Sequence, residues 1–365
     1  MPDKHDKHWE HYTGIQAGKH ELLRKYLGAW LPILTYNHGR VLYVESHAGR
    51  GKYKHGEPGS PLVALKSLLS HPMRDPILAR CVVQFVFMED DPENAAELEQ
   101  NILDIGPLPN NVEARVVKER FESALDLLLG DKSSPADVPP SFFFVDPFNY
   151  ELTMPLLRRI LARPKSELLL TFMYRFIDLA IMSDTGPERL DALFGSADWR
   201  TARDIGDSDE RHNAVLRLFT QELGAKYCSS LQARGLNGAI KYDLVHLTNH
   251  ELGRVKMKDA MWSVTPDGSF SIHEGDNPAQ LTLIRLNPDL GPLCKELMAD
   301  FGGRTEPYSA LTTWLLQTIW KAAHLRAAVV RLCAEGCVSL PDGQSGVIVK
   351  SNPRLQFSAA KGADG

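Results

Sequence analysis

The stretch VLYVESHAGRGKY, Val41–Tyr53, decides how the rest of the chain is read. An apolar run (Val41, Leu42, Tyr43, Val44) ends in an acid, Glu45, and a turn containing Ala48, Gly49 and Gly51 follows. Many nucleotide-binding α/β domains begin this way, because the strand delivers the loop to the carboxyl edge of a parallel sheet, where ligands bind. Glycine lets backbone approach a ligand with no Cβ in between. The carboxylate can accept hydrogen bonds from an amine or a ribose hydroxyl. No Gly-Lys-Ser/Thr follows, so this is not a Walker loop, and it is not a full GxGxxG either. Alone, AGRG is more often an ordinary turn; three further stretches raise its weight.

Upstream, Lys19–Tyr36 carries helical periodicity, with Leu22, Leu23, Tyr26, Leu27 and Trp30 on one face. Pro32 is expected to bend or end that helix. Residues 1–18 read as a mobile arm or an early cap. His5, His8 and His11 could share a face there, with solvation favoured over a metal site.

Downstream, GEPGSPLVALKSLLSH gives turn chemistry and then a helix with Ser60 at its N-cap and Pro61 at its first position. Residues 81–88 form a buried strand ended by Glu89 and Asp90, with a helix starting near Pro92. An acid at the end of the second strand is where such folds hold ribose hydroxyls. The 44 residues from Glu45 to Glu89 exceed the usual ~20, and the intervening helix accounts for the excess. A third strand is expected from Val112. The apolar strand SFFFVDPFNY then ends in Asp146-Pro147-Phe148-Asn149. A carboxylate, a rigid proline and an aromatic at a strand end can grip a planar amine: the acid accepts its hydrogen bond and the ring stacks.

ELLLTFMYRFIDLAIM reads as a fifth strand running into a helix that carries Arg175 and Asp178. Asp207, Asp209 and Glu210 read as solvated loop. Residues 242–264 return to strand, turn and helix. His246 and His250 lack a third ligand at metal spacing, so a hydrogen-bonding role is expected. Beyond about Leu286, two short helices and a two-stranded ribbon describe a winged helix, whose second helix would carry Lys321, His324, Arg326 and Arg331.

Apolar content of 43% and charged content of 24% are those of a globular chain, and the net charge of −5 argues against a surface that grips nucleic acid throughout. No apolar run approaches the ~20 residues that span a bilayer, so no membrane partner is expected. The polar N-terminus lacks a signal-peptide core, and a cytoplasmic location follows. The five cysteines form no C-x-x-C pair, so neither a zinc site nor a disulfide is expected.

Together, KHELLRKYLGAWLPIL, ESHAGRGKY, GEPGSPLVAL, FVFMEDDP, FFFVDPFNY and LTNHELGRVKMKDAMW make the chain resemble the three-Cys-motif partner protein (TcmP) family over nearly its whole length. The resemblance implies a class I, S-adenosylmethionine-type methyltransferase fold: a Rossmann-like α/β domain with a helical cap over residues 1–285, and a winged-helix-like domain over 286–365. It implies a partner with three clustered cysteines, similar to radical S-adenosylmethionine iron–sulfur enzymes. Two positions depart from the family's Asp-x-Phe-Ala-Gly-x-Gly loop, since Glu45 stands for the aspartate and His47 for the phenylalanine. Asn149 stands where glycine is common.

The expected activity is S-adenosylmethionine-dependent methyl transfer to nucleic acid or a nucleobase. Glu45, His47, Ala48, Gly49, Gly51, Glu89 and Asp90 would hold the cofactor, and Asp146, Pro147 and Phe148 would face the acceptor. DNA or RNA could also contact the C-terminal segment. One alternative is a non-catalytic platform that brings the iron–sulfur partner to its substrate. Another is a nuclease or hydrolase of nucleic-acid repair, with Glu45, Glu89 and Asp146 around magnesium.

Overall fold

The computed structural model describes residues 9–129, 139–276, 288–340 and 351–359. The chain divides into two compact units, Met1–Thr265 with Ser269–Thr282, and Pro266–Gly268 with Leu283–Gly365.

Among the described residues the first unit has eight strands: β1 Arg40–Glu45, β2 Val82–Met88, β3 Val112–Val117, β4 Ser141–Val145, β5 Ser166–Phe172, β6 Tyr227–Arg234, β7 Ile240–Thr248 and β8 Ser271–His273. They join in one sheet of order β3-β2-β1-β4-β5-β7-β6-β8. The first five strands are parallel. β7 runs against both β5 and β6, so β6 points the same way as β5. This is a Rossmann-like, methyltransferase-type sheet, with the order reversing between β1 and β4.

Its helices are α1 Gly14–Asn37, α2 Ser60–Leu69, α3 Arg74–Leu78, α4 Pro92–Leu103, α5 Phe121–Leu129, α6 Met154–Leu161, α7 Tyr174–Ser183, α8 Pro187–Phe194, α9 Ser208–Leu223 and α10 Glu251–Val264. They cover both faces. One core takes Leu22, Tyr26 and Trp30 of α1, Leu62 and Leu65 of α2, Leu98 of α4 and Met257 of α10. The other takes Leu125 of α5, Leu157 of α6, Ile177 of α7, Phe194 of α8 and Phe219 of α9. β4 feeds both, Phe142 and Phe144 to the first and Phe143 and Val145 to the second. A strand buried on both faces reads as an unbroken apolar run, which is why SFFFV was legible.

Two expectations are corrected and one is narrowed. Pro32 does not end the first helix, which continues to Asn37. Proline at this position has no N–H for the carbonyl of Gly28, and His71 Nε2 bonds that carbonyl instead, at 3.0 Å. Of the two readings of the N-terminal residues, the described part fits the early cap: Trp9 is buried, and α1 already begins at Gly14. Asp207, Asp209 and Glu210 are exposed as expected but do not form a loop: Asp207 is the N-cap of α9, where its side chain accepts from the N–H groups of Asp209 and Glu210. His5 and His8 lie outside the described residues.

The second unit contains α11 Gly291–Phe301, β9 Thr305–Pro307, α12 Tyr308–Leu315, α13 Ala322–Ala334, β10 Val338–Ser339 and β11 Arg354–Phe357. The strands pair antiparallel in the order β10-β11-β9. Leu297, Phe301, Leu311, Leu325, Val329 and Phe357 are buried within it. The sequence did not suggest β9, and the strand expected in GVIVK lies outside the described residues. No described helix is long and apolar enough to cross a membrane.

Helix α1 is fixed over the sheet by a buried polar contact. The Tyr26 hydroxyl donates to Glu167 of β5, which also lies 3.0 Å from His246 Nε2 of β7. A buried carboxylate that loses a donor keeps its desolvation cost. Tyr26→Phe should therefore cost about 1–3 kcal/mol of stability in urea denaturation. A loss below about 0.5 kcal/mol would show that the hydroxyl contributes nothing.

Candidate functional site

The glycine loop leaves β1 at the carboxyl edge and is sewn to its neighbours by backbone bonds. Ser46 N donates to Phe144 O at 3.0 Å and Ala48 N to Met88 O at 3.0 Å. Gly49 N donates to Glu89 Oε2 at 2.6 Å, and Gly59 N closes the loop onto Gly51 O at 2.7 Å. Gly49 and Gly51 have φ of +63° and +85°, a region that disfavours side chains. Space imposes the same choice. A Cβ on Gly51 would lie 2.8 Å from Leu98 Cδ1, and one on Gly49 would run into the ring of Trp9.

Each acid expected in the site has partners. Glu45 is fully buried and accepts from Ser60 Oγ at 2.5 Å and Tyr43 OH at 2.8 Å. Burial raises its carboxyl to about 8, against the lowering effect of those two bonds. Glu89 accepts from Gly49 N and, through its other oxygen, from Asp91 N at 3.0 Å. Burial raises its pKa too. Asp146 follows β4 and meets Lys19 Nζ at 2.5 Å, and its own N–H donates to Ser46 Oγ at 3.3 Å. Ser46 thus ties the ends of β1 and β4, the two strands that flank the switch point.

The edge therefore gathers Glu45, His47, Ala48, Gly49, Gly51, Glu89, Asp146 and Pro147. His47 Nδ1 lies 2.5 Å from Ser46 Oγ, its ring centroid is 6.1 Å from that of Phe121, and burial lowers its pKa. Asp90 is exposed, and Phe148 is 43% exposed beside the buried Pro147. Asn149 uses its side chain locally, accepting from Glu151 N at 2.9 Å. The described residues contain no group of three His, Cys, Asp or Glu placed to hold a metal ion. The three carboxylates of the magnesium alternative instead bind separate protein partners.

Two participants were not anticipated. Lys19 is buried, and in the sequence it stands in register with Leu22, Leu23 and Tyr26, so a charge on an apolar face was the available signal. Trp9 had no such signal. Its ring lies on Gly49 and 5.0 Å from the ring of Tyr53, which in turn contacts Tyr12 at 5.0 Å.

The arrangement fits a nucleoside-type cofactor in its framework. Two buried acids end β1 and β2, with a positive-φ glycine loop between them and an aromatic plate on the loop. Among known proteins, no family model and no curated protein matches the chain. Similar solved structures include protein LPL1258 from Legionella pneumophila, 15% identical over 65% of this chain and 85% of that one, with a TM-score of 0.39. The human methyltransferase 10 domain containing protein is 11% identical over 62% of this chain and 82% of its own, with a TM-score of 0.32. The N-terminal domain of EvdMO1, solved with SAH bound, is 14% identical over 62% and 80%, with a TM-score of 0.32. At these scores the likeness carries no argument of its own, and the fold rests on the strand order.

Glu45 gives the site a pH signature. The folded chain keeps a proton on this carboxyl up to about pH 8, whereas the unfolded chain releases it near the ordinary value of 4.5. Its contribution is fully present below pH 4.5 and falls as pH rises toward 8, by up to about 1.4 kcal/mol per unit. Glu45→Gln, with no proton to lose, should gain stability relative to the parent between pH 5.5 and 8 in urea denaturation. An equal difference at both pH values would count against a protonated Glu45.

Proposed function

We propose that the chain is an S-adenosylmethionine-dependent methyltransferase of the three-Cys-motif partner type, acting on an amine of a nucleobase. One observation carries this reading: the glycine loop, Glu89 and Asp146-Pro147-Phe148 meet at the switch point of a methyltransferase-type sheet. The glycine loop, packed under Trp9 at Gly49 and against Leu98 at Gly51, would border the cofactor, Glu89 would accept from its ribose hydroxyls, and Glu45 would set the loop's position through Ser60. S-adenosylmethionine, when bound, supplies an electrophilic methyl group. Asp146 would hold the acceptor amine and take up its proton, and Phe148, exposed beside it, would stack on the ring. Lys19 would orient Asp146 and stabilise its charge until the acceptor arrives. Alignment, more than strong acid–base chemistry, is what such a transfer needs.

The topology of the second unit supports a winged helix: helix, strand, two helices, two strands. Its α13 exposes Ala323, Ala327 and Val330 beside Arg326, while Arg331 is paired with Glu335 at 2.8 Å. That face suits a protein partner better than a DNA groove, and the iron–sulfur enzyme implied by the resemblance is our candidate.

The platform reading keeps one observation in its favour. Lys19 engages Asp146 and Trp9 lies on Gly49, so both halves of the site are covered by the chain itself. Calorimetric titration with S-adenosylhomocysteine separates the two. The methyltransferase reading expects binding in the parent, loss in Glu89→Ala, and retention in Asp146→Asn with turnover reduced at least about 100-fold. A folded parent that binds no S-adenosylhomocysteine at millimolar concentration would favour the platform.

A further inference from the structure

A concave feature lies on the same edge of the sheet as the glycine loop. Between α7, the start of α9 and the turn joining β6 to β7 is a cavity of about 490 Å³, whose lining includes Arg175, Asp178, Asp209, Arg234 and Asn237. The topology explains its place. α7 leaves the carboxyl end of β5, and β6 points the same way as β5, so Arg234 at the end of β6 comes to the edge where β4 ends in Asp146.

The charges in the cavity do not cancel evenly. Asp178 is neutralised from behind by Arg211, whose Nε donates to it at 2.7 Å, and also accepts from Tyr174 OH at 3.3 Å. Arg234 is held as a fixed fork: Nε donates to Gln232 Oε1 at 2.5 Å and one terminal nitrogen to Gly238 O at 2.8 Å. Its other terminal nitrogen reaches only a loose contact with the exposed Asp209, at 3.6 Å. Arg175 is exposed and makes no hydrogen bond or ion pair among the described residues. A guanidinium held in place with one terminal nitrogen not hydrogen-bonded, and a second one without a partner among the described residues, both lining the cavity, suit an oxyanion held between them.

We propose that this cavity binds a backbone phosphate of a single-stranded nucleic acid, next to the nucleotide presented to Asp146. The assignment rests on the methyltransferase reading and specifies its substrate as a polynucleotide rather than a free base. The arginines would set the register of the strand, and Phe148 and Asp146 would select the base.

The test is fluorescence anisotropy with a labelled 12-nucleotide oligoribonucleotide and the full-length chain. The parent should bind, and Arg175→Ala should weaken binding about tenfold and lower the slope of log affinity against log salt by about 0.7, the release from one phosphate. Arg234→Lys, which keeps the charge but loses the bonds to Gln232 and Gly238 that fix it, should also weaken it. Arg115→Ala, at a 73% exposed position on β3 far along the strand order, should leave it unchanged. Unchanged binding in Arg175→Ala and Arg234→Lys would overturn the assignment, as would no binding by the parent. Displacement by polyglutamate or by adenosine monophosphate as readily as by unlabelled strand would also overturn it, in favour of an acidic peptide or a mononucleotide. S-adenosylhomocysteine binding, measured on the same preparations, reports on the glycine loop alone, so failure of the cavity and failure of the methyltransferase reading give different results.

Discussion

The pairing of Lys19 with Asp146 joins the first helix of the fold to the end of its fourth strand. Burying two charges is expensive, and removing one partner from such a pair leaves the other uncompensated. The pair therefore fixes how α1 lies as well as the charge at Asp146. Two turns further along the same helix face, Tyr26 makes a second attachment to Glu167. These contacts place one helix across β4 and β5. Trp9 and Tyr12, just ahead of that helix, are thereby delivered to the glycine loop.

The loop itself is held from below by ordinary backbone chemistry. Glu89 accepts two N–H groups, one from the loop and one from the start of α4. Asn101 Nδ2 donates to Arg50 O at 2.7 Å, and Arg50 Nε reaches Asn94 Oδ1 at 3.0 Å, so α4 holds the loop along its length. A loop fixed this thoroughly presents its surface without reorganising, which is the condition under which backbone donors and acceptors are worth most. Glu45, buried and raised toward neutrality, acts in this apparatus more as a hydrogen-bonding strut than as a standing negative charge.

Much of this was legible in the sequence because its causes are local. A strand buried on both faces, a terminal acid and a glycine turn are written in adjacent residues, as is Asp146-Pro147-Phe148; Ser60, expected at the N-cap of α2, is instead its first residue, with Gly59 at the N-cap and the Ser60 hydroxyl donated to Glu45. What escaped depends on long-range geometry. β6 was not foreseen because its buried face includes Ser229, which receives a guanidinium N–H from Arg254 of α10, so the apolar alternation of YCSSLQAR is broken. Pro32 looked like a helix end because the replacement donor, His71, lies 39 residues away. Lys19 left a trace as a charge on an apolar face. Trp9 left none, since nothing in the sequence says which ring will fill the space above Gly49.

The reversal of β7 reaches beyond strand order. In an all-parallel sheet the carboxyl edge receives only connections that lead into helices, each tied to the length and packing of the helix that follows. With β7 turned round, a tight hairpin also arrives there, and a hairpin tip can lengthen, shorten or change sequence at little cost to the layers beneath it. The edge is thus divided into a tightly packed half, where the glycine loop cannot tolerate even a methyl group, and an adjustable half around residues 235–239. Selection on what the chain recognises could act on the second half while leaving the first untouched.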